Sequence, residues 1–168
     1  MSDIARKHAI EQVISQLDIH ALFCAFLRNV DERNFDLLPS YFTLDAVFRQ
    51  YVSLEERDAQ RPVSVATGHT AIVDQFKRFF RLLDRTHHSI TNFVTQVDGD
   101  TANISAHMRC YHRGTGPSSG LWEESLSLLQ GTVVRQNEPW RIRTFEYTVA
   151  IILGLPDVFG DAAISTAA

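Results

Sequence analysis

The stretch RTHHSITNFVTQVDGDTANISAHMRCYH (Arg85–His112) decides the fold class of this chain. Both of its halves alternate between apolar and polar residues, which is typical of β-strands with one buried face. The sequence DGD (98–100) between them is typical of a tight hairpin turn. We therefore predict two long antiparallel strands joined by a hairpin, with His87 and His88 at the beginning of the first strand.

The chain has a long helix before this hairpin and more strands after it. Downstream, LWEESLSLLQGTVVR (121–135) and WRIRTFEYTVAII (140–152) alternate again and follow a flexible Gly/Ser/Pro loop (114–120). Upstream, one amphipathic helix is predicted from apolar residues at three- and four-residue steps: Ile10, Val13, Ile14, Leu17, Ala21, Cys24 and Leu27.

Shorter elements lie between the first helix and the hairpin. A helical turn is predicted around Phe35–Phe42, a strand at DAVFRQYV (45–52), an exposed polar loop at 54–62 and a second helix after Gly68. Helices followed by antiparallel strands predict an α+β fold, with the helices packed on one face of a curved sheet.

Length and composition fit one globular domain. The chain has 168 residues, of which 45% are hydrophobic and 21% charged, and we expect a single domain over 1–168 with a flexible tail at 161–168. Cys24 and Cys110 lie in apolar patterns and are expected to be buried. A net charge of −4 gives no basic surface for a nucleic acid. With no signal peptide or long apolar run recognisable, we expect a cytoplasmic protein without a membrane partner.

Asp31 follows the apolar stripe of the first helix by one turn. Helical spacing from Leu27 places this carboxylate on the buried face, where it needs a partner or a cavity because an isolated buried charge is too costly. If the helix ends earlier, Asp31 instead caps the following turn. Periodicity alone leaves both interpretations open.

His107 raises a similar question on the second strand of the hairpin. One face of this strand is apolar from Ala102 to Cys110, and the other carries His107, Arg109 and Tyr111. If the apolar face is the core, the histidine lies in water. If the sheet curls around a polar-lined pocket, the histidine points inward. Alternation alone does not decide, although it slightly favours the first arrangement.

Together these motifs resemble the SnoaL-like group of the nuclear transport factor 2-like superfamily, and within it scytalone dehydratase most closely. NVDERNFDLLPSYFTLDAVF (29–48), GHTAIVDQFKRFF (68–80), the stretch 85–112 and EPWRI (138–142) follow the family order over nearly the whole chain. The resemblance implies a cone-shaped α+β barrel whose curved sheet encloses a pocket, so that the face carrying His107 would look inward.

The resemblance also implies three catalytic residues. The family has an Asp on the first helix, a His opening one strand and a His within the next, and these correspond to Asp31, His88 and His107. On this reading Asp31 pairs with His107, which removes a proton next to a carbonyl, because imidazole has a pKa near neutral pH and a carboxylate fixes its tautomer. His88 then protonates a departing hydroxyl or binds a substrate oxygen.

Other family positions bear on substrate binding. Two tyrosines of the family hold a water against the substrate carbonyl; the second matches Tyr51, but Val30 stands at the first. Ser127 matches a family serine, although the asparagine expected near it is missing. These two departures weaken the assignment of scytalone as the substrate more than they weaken the assignment of the three catalytic residues. Candidate donors to the carbonyl oxygen are Tyr51, Asn92, Arg109 and Tyr111.

We therefore expect a cofactor-independent lyase or isomerase, dehydratase-like, that acts on a small hydrophobic carbonyl-bearing ring compound. Asp31, His88 and His107 could also form a metal triad, but the resembling enzymes use no metal and no local ligand pair is present, so we expect none. Aromatic residues of the helices would line the pocket: Phe35, Phe42, Phe76, Phe79 and Phe80.

Two other classes stay open from the sequence. The same fold serves non-catalytic ligand-binding proteins and structural subunits, such as the small subunit of ring-hydroxylating dioxygenases, and it also serves dehydrohalogenases and polyketide cyclases. The exposed face of such a sheet predicts a homodimer or homotrimer. Leu153, Leu155, Val158 and Phe159 in the C-terminal segment are expected to close the pocket or to pack on a neighbouring subunit.

Overall fold

The computed structural model describes residues 2–135 and 139–162. Within them, three 3-10 helices span Phe35–Tyr41, Gly116–Ser118 and Pro156–Ala162. The regular elements, in chain order within each type, are α1 (Asp3–Asp31), α2 (Leu54–Asp58), α3 (His69–Phe80), β1 (Phe42–Tyr51), β2 (Ser64–Thr67), β3 (Leu83–Asp98), β4 (Thr101–Gly114), β5 (Trp122–Arg135) and β6 (Trp140–Gly154).

The strands form one six-stranded sheet in the order β2-β1-β6-β5-β4-β3. β1 runs parallel to β6, and every other neighbouring pair is antiparallel, so the sheet is mixed. The hairpin between β3 and β4 turns at Gly99, whose φ of 57° favours glycine. The predicted α+β fold, with N-terminal helices on a curved sheet, is confirmed, but the sheet is open and not a closed barrel.

Several local predictions need correction. The segment expected to be an exposed polar loop (54–62) begins with α2, because the Ser53 side chain caps the backbone of Glu56. β3 begins at Leu83, five residues before His88, so the two neighbouring histidines do not open the strand. Most of the expected flexible tail lies outside the described residues. Its first two residues, 161–162, belong to the last 3-10 helix.

The buried side of α1 is not the predicted stripe. Its buried residues are Ser15, Ile19, Phe23, Phe26, Leu27 and Val30, whereas Ile10, Val13, Ile14, Leu17, Ala21 and Cys24 are exposed. The prediction was wrong because α1 has apolar residues on two faces, and periodicity does not show which face meets the sheet. The expected burial of Cys24 is wrong for the same reason, while Cys110 is buried.

By length and composition alone, α1 is also apolar enough to cross a membrane. This is weak support for a membrane segment, because a helix that packs in a protein core passes the same test. The second half of α1 packs in this way: Phe23 and Phe26 are fully buried, and each contacts the ring of Phe145 on β6.

The inner face of the sheet, meaning the face toward α1 and α3, is set by β4. Ala102, Ile104, Ala106, Met108, Cys110 and His112 are all buried, and the residues between them are exposed or partly exposed. The apolar face of β4 therefore is the core face, as expected for a sheet with a single apolar core.

Candidate active site

A cavity of about 110 Å³ lies between α1, α3 and the inner face of the sheet. Its apolar wall includes Leu27, Phe48, Phe76, Phe80, Phe145 and Phe159. Polar side chains enter it from the sheet: Gln50, His88, His112, Glu123, Ser125 and Tyr147. An apolar cavity with a few convergent polar groups is the usual form of a small-molecule site.

The predicted aromatic lining is borne out for part of the set. Phe76, Phe79 and Phe80 of α3 line the cavity, whereas Phe42 is packed in the core and Phe35 lies against it. In the C-terminal segment, Phe159 lines the cavity and Val158 is fully buried. Leu153 and Leu155 stay about half exposed and take no part in closing it.

Asp31 and His88 form a hydrogen-bonded pair at this cavity. Asp31 is the last residue of α1, and its Oδ1 lies 2.6 Å from Nδ1 of His88 on β3. Oδ1 also accepts a bond from Thr86 Oγ1 at 2.8 Å, and Oδ2 accepts one from the His88 backbone N–H at 3.0 Å. Arg33 in turn donates to Thr86 Oγ1 at 2.8 Å. Three accepted bonds hold the carboxylate in one orientation.

The surroundings of this pair favour a carboxylate beside an imidazolium. Burial by itself lowers the pKa of His88, but the neighbouring Cys110 and Asp31 outweigh burial and raise it to about 10. Burial by itself raises the pKa of Asp31, but its hydrogen bonds and the charge of His88 hold it below its ordinary value. Near neutral pH the proton therefore resides on His88.

A second imidazole–carboxylate pair faces the same cavity. His112 on β4 is paired in register with Glu123 on β5, and His112 Nδ1 lies 2.5 Å from Glu123 Oε2. Both side chains are almost completely buried, at 7% and 4% exposure. Burial lowers the pKa of His112, and this outweighs the opposing effect of Glu123. The rings of His88 and His112 are 5.6 Å apart, centroid to centroid, and nearly perpendicular.

Tyr147 on β6 supplies a hydroxyl beside these pairs. Its OH lies 2.7 Å from Ser125 Oγ, accepts a bond from Ser127 Oγ at 2.8 Å and is 3.7 Å from the Cys110 sulfur. Burial raises the pKa of Tyr147 well above its ordinary value, so the phenol stays protonated. When Ser125 and Ser127 both donate to the Tyr147 oxygen, the phenol proton of Tyr147 is left to donate to a ligand oxygen.

The structure does not bring His107 to the site, and the predicted Asp31–His107 pair is wrong. His107 lies on the outer face of β4, where its Nδ1 is 3.1 Å from Asn92 Nδ2. The apolar residues of β4 occupy the inner face, which forces His107 outward because side chains alternate along a strand. For the same reason Asp31, His88 and His107 do not converge as a metal triad.

Asn92, Arg109 and Tyr111 are also outside the cavity. Arg109 and Tyr111 share the outer face of β4 with His107, and Arg109 makes an ion pair with Glu124. Asn92 has a left-handed φ of 51° within an irregularity of β3 between Thr91 and Val94. Asn92 was a candidate donor because regular alternation puts it, four residues after His88, on the same face of β3, and this bulge breaks that alternation.

Tyr51 and Ser127 lie near the cavity but do not line it. Tyr51 is fully buried on the opposite face of β1 from Phe48 and Gln50, which are the β1 residues that reach the cavity wall. Ser127 is buried and donates a hydrogen bond to the hydroxyl of Tyr147, which lines the cavity. A role of either residue in substrate binding stays a prediction.

The residues that sequence reasoning missed are His112, Glu123, Ser125, Tyr147 and Gln50. His112 had a readable signal, because it continues the apolar face of β4 two residues after Cys110. A polar residue that extends an apolar stripe needs a buried partner, which is the argument that identified Asp31. Glu123 gave no such signal, because the inner face of β5 begins with polar residues and its outer face carries leucines.

The family profile of the SnoaL-like domain matches residues 11–146, and the chain belongs to this family. No curated protein matches the sequence significantly.

Several solved structures share the fold. One is a proposed aromatic ring hydroxylase from Novosphingobium aromaticivorans, with 23% identity, a TM-score of 0.72, and coverage of 87% of this chain and 96% of that one. A proposed scytalone dehydratase from the same species has 16% identity, a TM-score of 0.72 and coverage of 86% and 89%. A hexachlorocyclohexane dehydrochlorinase from Novosphingobium barchaimii has 15% identity, a TM-score of 0.73 and coverage of 88% and 94%. At these identities the likeness concerns the fold alone.

Proposed function

We propose that this protein is a cofactor-independent lyase or isomerase that moves a proton next to the carbonyl of a small hydrophobic cyclic compound. The observation that carries the proposal is that two imidazoles, His88 and His112, each bonded to a carboxylate, face one apolar cavity. Buried ionisable groups with shifted pKa values are typical of catalytic sites. The fold shared with a proposed scytalone dehydratase and a dehydrochlorinase is consistent with this class.

The chain's own groups can supply each part of such a reaction. An imidazole that accepts the proton works best with a pKa near the working pH. The hydroxyl of Tyr147, which can accept from Ser125, lines the cavity and can donate its proton to the carbonyl oxygen as negative charge develops on it. The wall of the cavity is mainly aromatic and aliphatic, and hydrogen bonds are stronger in such surroundings because the local dielectric is low.

A non-catalytic role, as a ligand-binding protein or a structural subunit, explains these residues less well. A ligand-binding protein or structural subunit does not need two imidazole–carboxylate pairs in one cavity. Each buried carboxylate loses its hydration, which lowers the free energy of unfolding unless its partners compensate.

The test is deuterium exchange of the α-protons of small cyclic ketones, cyclohexanone and 2-tetralone, followed by NMR in D₂O. We expect wild type to accelerate exchange over buffer and the double variant His88→Gln/His112→Gln to lose at least about 100-fold of that acceleration. His107→Gln, on the outer face, is the matched control and should equal wild type. Acceleration that survives in the double variant contradicts the proposal, as does a wild-type rate equal to buffer for both ketones.

The expected homodimer or homotrimer also stays a prediction. Its support is the outer end of the sheet, where Trp122, Ile151 and Leu153 are 44–52% exposed and an interface would cover them. Light scattering during gel filtration measures the mass directly, and a monomer at micromolar concentration would contradict it. The cytoplasmic location is likewise a prediction, to be checked by fractionation of cells that express the protein.

A further inference from the structure

Gln50 on β1 differs from the other polar side chains of the cavity wall. His88 and His112 are bonded to carboxylates, and Ser125 is bonded to Tyr147. The Oε1 atom of Gln50 is buried and has no hydrogen-bond partner among the residues that the structure describes. Such an atom has lost its hydration without gaining a partner in the protein, which is unfavourable. The cavity wall at Gln50 therefore lacks a hydrogen-bond donor.

Gln50 also interrupts an apolar row. Phe48 and Val52, two positions before and after it, line the same cavity, and Phe48 is buried. Residues two apart on a strand share a face, so an apolar side chain at position 50 would continue this row without leaving a polar atom unpaired. Packing of the core therefore does not call for an amide here, and a ligand that pairs with it does.

The neighbouring pair on the other face of the same two strands has no such deficit. β1 and β6 run parallel, with Arg49 opposite Glu146 and Gln50 opposite Tyr147. Arg49 donates to Glu146 at 3.0 Å, so these two side chains satisfy each other. Gln50 and Tyr147 instead both line the cavity. Their two polar ends are therefore available to one bound molecule.

Tyr147 supplies the donor that complements the Gln50 acceptor. Its oxygen lies 2.7 Å from Ser125 Oγ and accepts from Ser127 Oγ at 2.8 Å. When both serines donate, the phenol proton is directed at the Cys110 sulfur, 3.7 Å away, which is a weak acceptor. A ligand oxygen is a stronger acceptor and can take this proton. The wall thus presents one donor and one acceptor side by side.

We propose that Gln50 determines specificity: its Oε1 accepts a hydrogen bond from a hydroxyl beside the carbonyl that Tyr147 binds, so that the ligand is a cyclic α-hydroxy ketone. This rests on the proposed function for the carbonyl and adds the second polar group of the substrate class. Gln50 and Tyr147 are at the same level of neighbouring strands, which lie about 4.8 Å apart. That spacing suits a hydroxyl and a carbonyl on adjacent carbons better than groups on opposite sides of a ring.

The test is the affinity of the protein for cyclohexanone and 2-hydroxycyclohexanone, measured by NMR titration. The enediol of this hydroxy ketone returns to the same compound, so proton transfer by the protein does not change the ligand. We expect wild type to bind the hydroxy ketone at least about tenfold more tightly, because a buried acceptor gains a partner.

Two variants make the same substitution inside and outside the cavity. Gln50→Met keeps a side chain of similar length and removes the amide, so the preference for the hydroxy ketone should disappear. Gln130→Met changes an exposed glutamine on β5 and should keep the tenfold preference. The preference is a ratio of two affinities within one variant, so partial damage to the fold cancels. A preference that survives in Gln50→Met overturns the inference, as does a wild type that binds both ketones equally or neither.

2-Methoxycyclohexanone shows which end of the amide meets the ligand. Its ether oxygen can accept a hydrogen bond but has no proton to donate. We therefore expect Gln50→Met to leave its affinity relative to cyclohexanone unchanged. If Gln50→Met weakens the hydroxy and methoxy ketones alike, the amide N–H contacts them, and the inference is overturned.

A purely structural role of Gln50 gives a different result in the absence of ligand. If Oε1 has a partner in the folded protein, Gln50→Met leaves that partner unpaired and lowers the urea midpoint. If Oε1 has none, an apolar side chain of similar shape leaves the midpoint unchanged or raises it. We expect the second outcome, and a clear fall in the midpoint contradicts the inference.

Failure of this inference can be told from failure of the proposed function, because binding needs no proton transfer. If wild type accelerates exchange of ketone α-protons but the hydroxyl adds no affinity, the proposed function stands and the assignment of Gln50 fails. If the hydroxyl adds affinity through Gln50 but no exchange is found, the ligand class holds and the proposed proton transfer fails.

Discussion

The inner and outer faces of β4 and β5 carry the same residue types in different surroundings. On the inner face, His112 and Glu123 are almost fully buried and paired at 2.5 Å. On the outer face, Glu124 lies one strand position from Glu123. It is 13% exposed and pairs with Arg109, whose side chain is 68% exposed. The comparison teaches that residue type does not make a site. Burial does, because removing water shifts pKa values and makes an unpaired charge costly.

The largest expected difference between the two faces is catalytic. His112→Gln should lower ketone proton exchange by about 10²- to 10⁴-fold, since it removes a group that transfers protons. His107→Gln, five residues earlier on the opposite face, should leave the rate unchanged. NMR exchange rates of the two purified variants, with circular dichroism as a check of folding, make the comparison. Equal losses of exchange rate in the two variants would show that His112 is not the group that transfers the proton.

The second difference concerns stability against pH. The folded pKa of His88, about 10, is above its ordinary value of 6.5. Its stabilisation is therefore complete below about pH 6.5 and is lost as the pH rises toward 10, at a rate of up to about 1.4 kcal/mol per pH unit. The free energy of unfolding of wild type minus that of His88→Gln, from urea titrations at pH 6 to 9, should shrink across that range.

Asp31, the carboxylate partner of His88, contributes to stability with the opposite pH dependence. Because the pKa of Asp31 is lowered below 3.8, its contribution is present above that value and is lost in acid. The outer pair of Arg109 and Glu124 should show no comparable dependence between pH 6 and 9. A constant difference between wild type and His88→Gln over this range would mean that His88 is neutral in the folded protein.

A smaller effect on the exchange rate is expected for Thr86, which orients the Asp31 carboxylate and does not line the cavity. Thr86 donates to Asp31 and accepts from Arg33, so Thr86→Val should weaken the anchoring of the carboxylate and lower exchange about tenfold. Thr91→Val, on the same strand but opposite His107 and exposed, is the matched control with no expected change. Steady-state exchange rates separate the two, and a wild-type rate in Thr86→Val would remove Thr86 from the site.

The smallest effect is expected for the outer pair itself. Arg109→Gln should leave the exchange rate unchanged and lower the urea midpoint only slightly, because the Arg109 side chain is 68% exposed, although Glu124 is 13% exposed. A loss of stability that grows with protein concentration would show that the outer face is covered by a second subunit. Measurement at two protein concentrations decides between these outcomes.

Much of the fold could be predicted from residues close together in the chain. Alternation in 101–112 and the DGD turn predicted the hairpin of β3 and β4, and Gly68 marked the beginning of α3. Asp31 and His88 were found in the same way, together with the family resemblance. These features depend on local spacing, and strand and helix periods are the same in every fold.

The pairing of these residues could not be predicted in the same way. His107 was assigned to the site from the family resemblance, because alternation gives two faces and does not say which one is inside. Asn92 was misplaced because a bulge in β3 leaves no reliable mark in the sequence. Glu123 was missed because its role depends on a partner on the neighbouring strand.

By itself, the sequence determined an α+β SnoaL-like chain with a buried-side carboxylate at the end of its first helix and a histidine on a strand of its hairpin. Only the tertiary structure decided that Asp31 meets His88 and that a second pair, His112 with Glu123, faces it across an apolar cavity. The physical reason is that periodicity is local, whereas the choice of inner face and the burial of charge depend on how helices and sheet pack together.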